Sequence, residues 1–356
     1  MKGGGDDNDK PKVSAPGFGL NTPIVAVLLC ALSTLQAMAA IMSKEDGQYP
    51  YKVIGSTLLS EAFKFLTSGA LLIHEIWKSG EHLSTARSTT LATTPSSLMM
   101  AAVPGIAYQV LNNLNFVTLY YVDAPTFQIL GNLKIVATGI AGQVLLHRYL
   151  SKGKWLALTL LTLGAAISQI PQPKETGAGV DCEAAHWFAG RSLGYVSALI
   201  CVFLSATMGV FTEMFMKGNR ASIHWQNLQL YFFGILANVI ALLYRNEIGP
   251  NATTPLLHGF NAGAVVCVIA NGSCGLAVSF MLRYADSIAK TYATALAIPC
   301  TSAVAYLIFS TPISVPNMLG SCVMVISMAY YYFGETFFQA AMVPNPQTAT
   351  TTKHLP

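Results

Sequence analysis

The sequence predicts an all-α polytopic membrane protein, with ten transmembrane helices arranged as two inverted five-helix repeats. Three observations carry this. Hydrophobic residues make up 53% of the 356 and charged residues only 10%, where soluble domains carry about 25% charged. The mean hydropathy is +0.49. Apolar runs of about 20 residues, the length that crosses a bilayer, recur along most of the chain. So little charge excludes an ordinary soluble enzyme, a disordered chain and a nucleic-acid binder. The net charge of +4 is too small to hold a polyanion broadly.

The first 21 residues are polar and Gly-rich and read as a disordered cytosolic tail. They lack the apolar core of a signal peptide, so the first apolar run is expected to act as an uncleaved anchor. Spans are expected at 23–42, 54–77, 97–122, 124–146 and 155–170, then at 192–216, 226–244, 260–282, 285–309 and 316–337. The domains expected from this are a first repeat over 22–171, a luminal loop over 172–191, a second repeat over 192–338 and a disordered cytosolic tail over 339–356. Of seven cysteines, only Cys182 falls outside the apolar segments, and no spacing suggests zinc or a disulfide framework.

Ten spans put both termini on one face. Twelve of the 20 basic residues fall on that face, Lys78, Arg148, Lys217 and Arg283 among them. Five fall on the other, namely Lys44, Lys52, Lys174, Arg191 and Arg245, while Lys64, Lys134 and Lys290 lie within spans. The positive-inside rule then makes both termini cytosolic. Asn251, in an Asn-Ala-Thr sequon between the seventh and eighth spans, is a glycosylation candidate on the far face. Five plus five spans is an odd-numbered half duplicated, so the halves insert in opposite senses, a plan that sets a binding site at mid-membrane. Asp123 through Ser151 can be laid on Asp286 through Ser314 without a gap, with Ile135 opposite Ile298 and Thr138 opposite Thr301.

The polar residues inside the spans carry the functional reading. A lysine at a helix centre costs roughly 2.5–3.5 kcal/mol on insertion scales. Lys134 is too deep in the fourth span to reach the interface, and is expected to line a polar cavity or meet an anion. Lys290 is nearer an end, where snorkelling is the alternative. Two such lysines suit a phosphorylated ligand. Glu61 and Lys64 stand three apart and face the same way, as a neutralising pair. Glu213 and Lys217, four apart, read as an interfacial ion pair able to help gate a cavity. Tyr108 and Asn112 share a face of the third span. The amide suits a nucleobase edge or a sugar hydroxyl, or else a helix–helix hydrogen bond. Asn227, Gln229 and Tyr231 form a second polar cluster. Ser205, Ala206 and Gly209 belong to a set of small residues that, taken alone, read as close packing. No Walker loop, HExxH, GxSxG or paired catalytic carboxylates occur in a supporting context. Neither an enzyme nor an ATP-driven pump is therefore expected, and no cofactor or metal.

Several strings together resemble the nucleotide-sugar transporter family, in the branch of CMP-sialic acid, UDP-galactose and UDP-N-acetylglucosamine transporters of the drug/metabolite transporter superfamily. They are Ser60-Glu61-Ala62-Phe63-Lys64; Pro104 to Tyr108 followed by Asn112-Asn113; Asp123-Ala124 to Gln128 and on to Leu133-Lys134-Ile135; Gly209-Val210 to Glu213 and Lys217; Asn227-Leu228-Gln229-Leu230; and Arg283-Tyr284-Ala285-Asp286-Ser287-Ile288-Ala289-Lys290. The resemblance covers about 22–338. It implies the ten-helix drug/metabolite transporter fold and antiport across the Golgi or endoplasmic reticulum membrane, nucleotide sugar entering the lumen as nucleoside monophosphate leaves. It implies that Lys134 and Lys290 hold phosphates, that Tyr108 and Asn112 form a polar wall, and that the nucleotide approaches the backbone at Ser205, Ala206 and Gly209. Asn227 and Tyr231 would stand on its other side. The sequence departs from the family pattern where Leu130-Gly131-Asn132 replaces a Tyr-Gln, and where Ala206 replaces a glycine. Tyr231 resembles the sialic-acid type and Phe233 the UDP-galactose type, so the sugar stays open. The final residues, PNPQTATTTKHLP, carry no dilysine or KDEL-like signal, which favours the Golgi. A plasma-membrane drug/metabolite exporter of small amines or amino acids is the competing reading, and it has no use for the two lysines, which would repel cationic cargo. A membrane enzyme or scaffold is a more distant one. The oligomeric state is not encoded in any recognisable feature.

Overall fold

The computed structural model describes residues 22–45, 49–79, 90–91, 93–122, 124–170, 192–218, 221–248 and 255–342. Among these residues the chain forms eleven helices: α1 (Thr22–Met42), α2 (Val53–Ser79), α3 (Pro95–Tyr121), α4 (Ala124–Gly131), α5 (Lys134–Leu146), α6 (Lys152–Ser168), α7 (Ser192–Gly218), α8 (Ile223–Tyr244), α9 (Ala262–Tyr284), α10 (Ser287–Phe309) and α11 (Val315–Met342). Every stretch expected to span is helical, the fourth in two pieces, with ends displaced by a few residues. Among the described residues six stretches are long and apolar enough to cross a bilayer: Thr22–Met42, Thr126–Leu146, Leu193–Gly218, Ile223–Tyr244, Ala262–Tyr284 and Ser287–Phe309. The protein is an all-helical, polytopic membrane protein.

Local sequence sets most helix starts. Thr94 and Ser97 form a reciprocal capping box at α3, and Ser151, Ser222, Asn261 and Asp286 cap α6, α8, α9 and α10 with side-chain oxygens. Each cap answers a backbone N–H that has no partner within its own helix. The structure corrects one expectation here. The fourth span is not one continuous helix with Lys134 buried in its middle. It breaks at Asn132 and Leu133, so that Lys134 opens α5.

The helices pair in a definite scheme. α1 packs on α9 and α10, and α7 packs on α3 and on both halves of the broken span. α2 lies on α8, and α6 on α11. At the last crossing Gly164 and Gly320 let backbones meet. A Cβ at Gly320 would lie 2.4 Å from the Gly164 carbonyl oxygen, so close approach there requires glycine. The two stretches that align in sequence also end alike. α4 starts at Ala124 and α10 at Ser287, and α5 stops at Leu146 and α10 at Phe309. Both are closed by a left-handed residue, His147 at φ 50° and Ser310 at φ 53°. The next helix begins in each case after a serine, Ser151 or Ser314, whose hydroxyl accepts from the amide three residues on.

Candidate functional site

Between α1 and α10 on one side and α3, α4, α5 and α7 on the other lies a cavity of about 750 Å³. Its wall includes Ser33 and Ala37 of α1, Asn115 of α3, Gln128 and Asn132 at the broken span, Lys134 at the start of α5, Ser205 of α7, and Thr294 and Ser302 of α10. A second chamber of about 450 Å³ shares Asn115 and Phe127 with the first. It is lined by Glu61 and Lys64 of α2, Gln109 of α3, Asn238 of α8 and Asn271 of α9.

Of the residues singled out in the sequence, Lys134 and Ser205 stand on the main wall. Lys134 is exposed to the cavity, reaching it because the helix breaks just before it. Lys290 is reached across Gly209, where a Cβ would sit 3.3 Å from its Nζ. The small residue on α7 thus leaves room for an ammonium on α10. Lys290 lies within electrostatic range of Lys134 and of Glu213. Neither Lys134 nor Lys290 makes an ion pair among the described residues. Ala206 is buried one position from Ser205, against Ala137 and Val202.

Glu61 and Lys64 meet at 2.6 Å, and the Lys64 ammonium lies over the Tyr231 ring at 4.6 Å from its centroid, a favourable cation–π contact. The Tyr231 hydroxyl pairs with Ser279 at 2.9 Å. Asn227 is fully buried, and both its amide atoms lack a partner, a rare condition for a buried polar group. Tyr108 stands beside Thr212. Neither Tyr108 nor Asn227 touches the two chambers described. Asn112 belongs to α3, but its side chain lies outside the described residues, as do Asn251 and Cys182.

At the end of α7 and the start of α10 the ionic groups form a wider cluster than the sequence suggested. Glu213 is fully buried within the protein. It accepts from Lys217 at 2.8 Å, from Arg148 at 2.9 Å and from the Ser287 backbone at 2.7 Å. Arg148 also reaches Asp286 at 3.3 Å, and Lys217 donates to the Ala285 carbonyl. The cluster thereby ties α7 and the residue just past α5 to the start of α10, across the line of the cavity. At the opposite ends of the helices, Lys52 pairs with Glu247 at 2.7 Å and Asn261 donates to Glu45 at 2.8 Å. Those ties join α2 to α8 and α1 to α9, helices already packed side by side. Arg148 and the second-chamber amides Gln109, Asn115 and Asn238 were not singled out as site residues in the sequence, and Asn132 stood out there only as part of a departure from the family pattern. Arg148 read as one more basic loop residue, and isolated amides at unrelated positions form no local motif.

A family model described as nucleotide-sugar transporter matches residues 20–332. CMP-sialic acid transporter 1 of Arabidopsis thaliana is 35% identical over 336 residues, covering 93% of this chain and 95% of its own length. The protein of the same name from Oryza sativa subsp. japonica is 35% identical over 314 residues, 87% and 93% of the two chains. The UDP-galactose transporter senju of Drosophila melanogaster is 29% identical over 344 residues, 88% and 86%. A crystallographically determined chain, described only as a protein, superposes with a TM-score of 0.61 at 13% identity, over 88% of this chain and 97% of its own. That likeness speaks to the fold alone. The match to the family model and the relatives at 35% identity over nearly the whole length lead to one conclusion: the chain belongs to the nucleotide-sugar transporter family.

Proposed function

We propose that the protein is a Golgi antiporter that imports a pyrimidine nucleotide sugar, CMP-sialic acid or UDP-galactose or UDP-N-acetylglucosamine, in exchange for the nucleoside monophosphate. The observation that carries this reading is the pair of lysines. Lys134 faces the main cavity and Lys290 stands behind Gly209, neither in an ion pair among the described residues. Unpaired ammonium groups at membrane depth are costly without water or an anion, and a phosphate compensates both. Tyr108, Asn112, Asn227 and Tyr231 would then hold the nucleoside, with Ser205, Ala206 and Gly209 permitting close approach. The drug/metabolite alternative for small amines gives these lysines no use.

The packing supports alternating access. The cavity separates a body of α1, α9 and α10 from a body of α3, α4, α5 and α7. Each body takes helices from both halves of the chain, and the scheme of one repeats in the other. The matching helix ends, left-handed caps and serine caps at 124–151 and 287–314 support two inverted five-helix repeats, 22–171 and 192–338, with ten spans in all. In this reading the Glu213 cluster is the closed cytosolic gate, the termini are cytosolic, and the cavity opens toward the lumen. Glu61 and Lys64 have a structural part, as a closed ion pair beside the site.

Replacing Lys134 tests the reading. A hydrogen bond to a charged group contributes roughly 1.5–3 kcal/mol, so Lys134→Ala weakens binding of CMP or UMP about ten- to a hundredfold. Lys134→Arg rescues only in part, since the planar fork demands different geometry. Thermal-shift titration of purified protein reads both. A lower melting temperature with an unchanged response to nucleotide would remove the phosphate role.

A further inference from the structure

The main cavity carries two hydrogen-bonding atoms that no described residue answers. Asn132, at the break of the fourth span, is 7% exposed, and its Nδ2 has no acceptor. Gln169, at the end of α6, has a buried Oε1 with no donor. Both line the same wall. Buried polar atoms are rarely left in this state, because the desolvation is not repaid. One is a donor and the other an acceptor. A phosphate, which only accepts, suits Asn132 alone. A hydroxyl accepts and donates at once and suits both. Around them stand Gln128, Asn115 and the Thr301 and Ser302 hydroxyls, further partners for a ligand with several hydroxyl groups.

Asn132 is two residues from Lys134. A sugar joined to a phosphate held by Lys134 must lie within one linkage of it, hence beside the break. The second chamber is less suited. Its charged pair closes on itself at 2.6 Å, and the Asn238 amide already donates to the Gly234 carbonyl, which leaves one acceptor, its Oδ1, without a partner and no unanswered buried donor beside it among the described lining residues. We propose that the amide-lined wall formed by Asn132 and Gln169 is the sugar subsite, recognising hydroxyl groups of the transported sugar. This rests on the reading that Lys134 holds the phosphate.

The test compares two ligands that differ only by the sugar. Dissociation constants for CMP against CMP-sialic acid, and UDP against UDP-galactose, are measured on the purified full chain, wild type and Asn132→Ala, Gln169→Ala and Asn238→Ala. The expected result is a five- to tenfold loss for the nucleotide sugar in the first two variants, with the sugar-free nucleotide unchanged within twofold and Asn238→Ala neutral. An equal loss for both ligands would make Asn132 and Gln169 phosphate, base or folding residues and overturn the proposal. So would no loss for either ligand, or a loss confined to Asn238→Ala, which would move the sugar to the second chamber. If the wild type bound the sugar-free nucleotide but the variants changed nothing, only the subsite would fall. If the wild type bound neither, the transport reading would fall with it.

Discussion

Glu213→Gln is the substitution that separates a gate from a simple structural ion pair. The carboxylate is fully buried, and its partners are Lys217, Arg148 and the Ser287 amide at 2.8, 2.9 and 2.7 Å. Glutamine keeps the shape and one acceptor oxygen but loses the charge, and it turns an amide donor toward cationic neighbours. Breaking a buried ion pair by removing one partner costs about 3–5 kcal/mol. Arg148 and Lys217 keep side-chain exposures of 21% and 29%, so solvent recovers part of their share and the lower end applies. About 3 kcal/mol corresponds to roughly a hundredfold shift in an equilibrium. All these contacts cross from α7 and Arg148 to the start of α10. The shift therefore falls on the state in which those elements touch. Efflux of preloaded CMP from proteoliposomes with no nucleotide outside should rise strongly over wild type, while CMP still binds. The assay is radiotracer efflux beside a thermal-shift control. Unchanged efflux with a lowered melting temperature would mean that the cluster only holds the fold, and would refute the gate.

Two further outcomes follow from packing and topology. Gly320→Ala puts a Cβ 2.4 Å from the Gly164 carbonyl and 2.5 Å from the Ser168 nitrogen, so α6 and α11 must separate. Thermal denaturation should register a loss of about 1–3 kcal/mol, and an unchanged melting temperature would contradict the tight crossing. Epitope tags at either end should be reached by protease from outside sealed Golgi vesicles. Protection of both would reverse the orientation and the direction of import.

The sequence made some of this legible and hid the rest for physical reasons. Helix positions were readable because apolar runs are local, while the caps at Ser151, Asn261 and Asp286 set the starts that the runs left a few residues off. The Glu61–Lys64 contact was readable because three positions on a helix share a face. The break before Lys134 was not, since apolar residues continue through Leu130 and Leu133 and no proline marks the change. Arg148 was counted as a loop charge because its partner Glu213 lies 65 positions away, and no local pattern spans that distance. Asn132 and Gln169 are single amides in unrelated segments, and only the folded chain brings them to one wall. Asn227 was noticed as polar, but that both its amide atoms lack partners is a property of the packing.

Counterflow in proteoliposomes tests the central claim most directly. Vesicles containing the full chain are loaded in turn with CMP, UMP, GMP and AMP, and uptake of labelled CMP-sialic acid, UDP-galactose and UDP-N-acetylglucosamine is followed. The account predicts that CMP or UMP inside strongly accelerates uptake of the nucleotide sugar bearing the same base, while GMP and AMP leave it at the level of empty vesicles. Equal acceleration by all four would contradict the pyrimidine assignment, and no acceleration by any of them would contradict exchange itself.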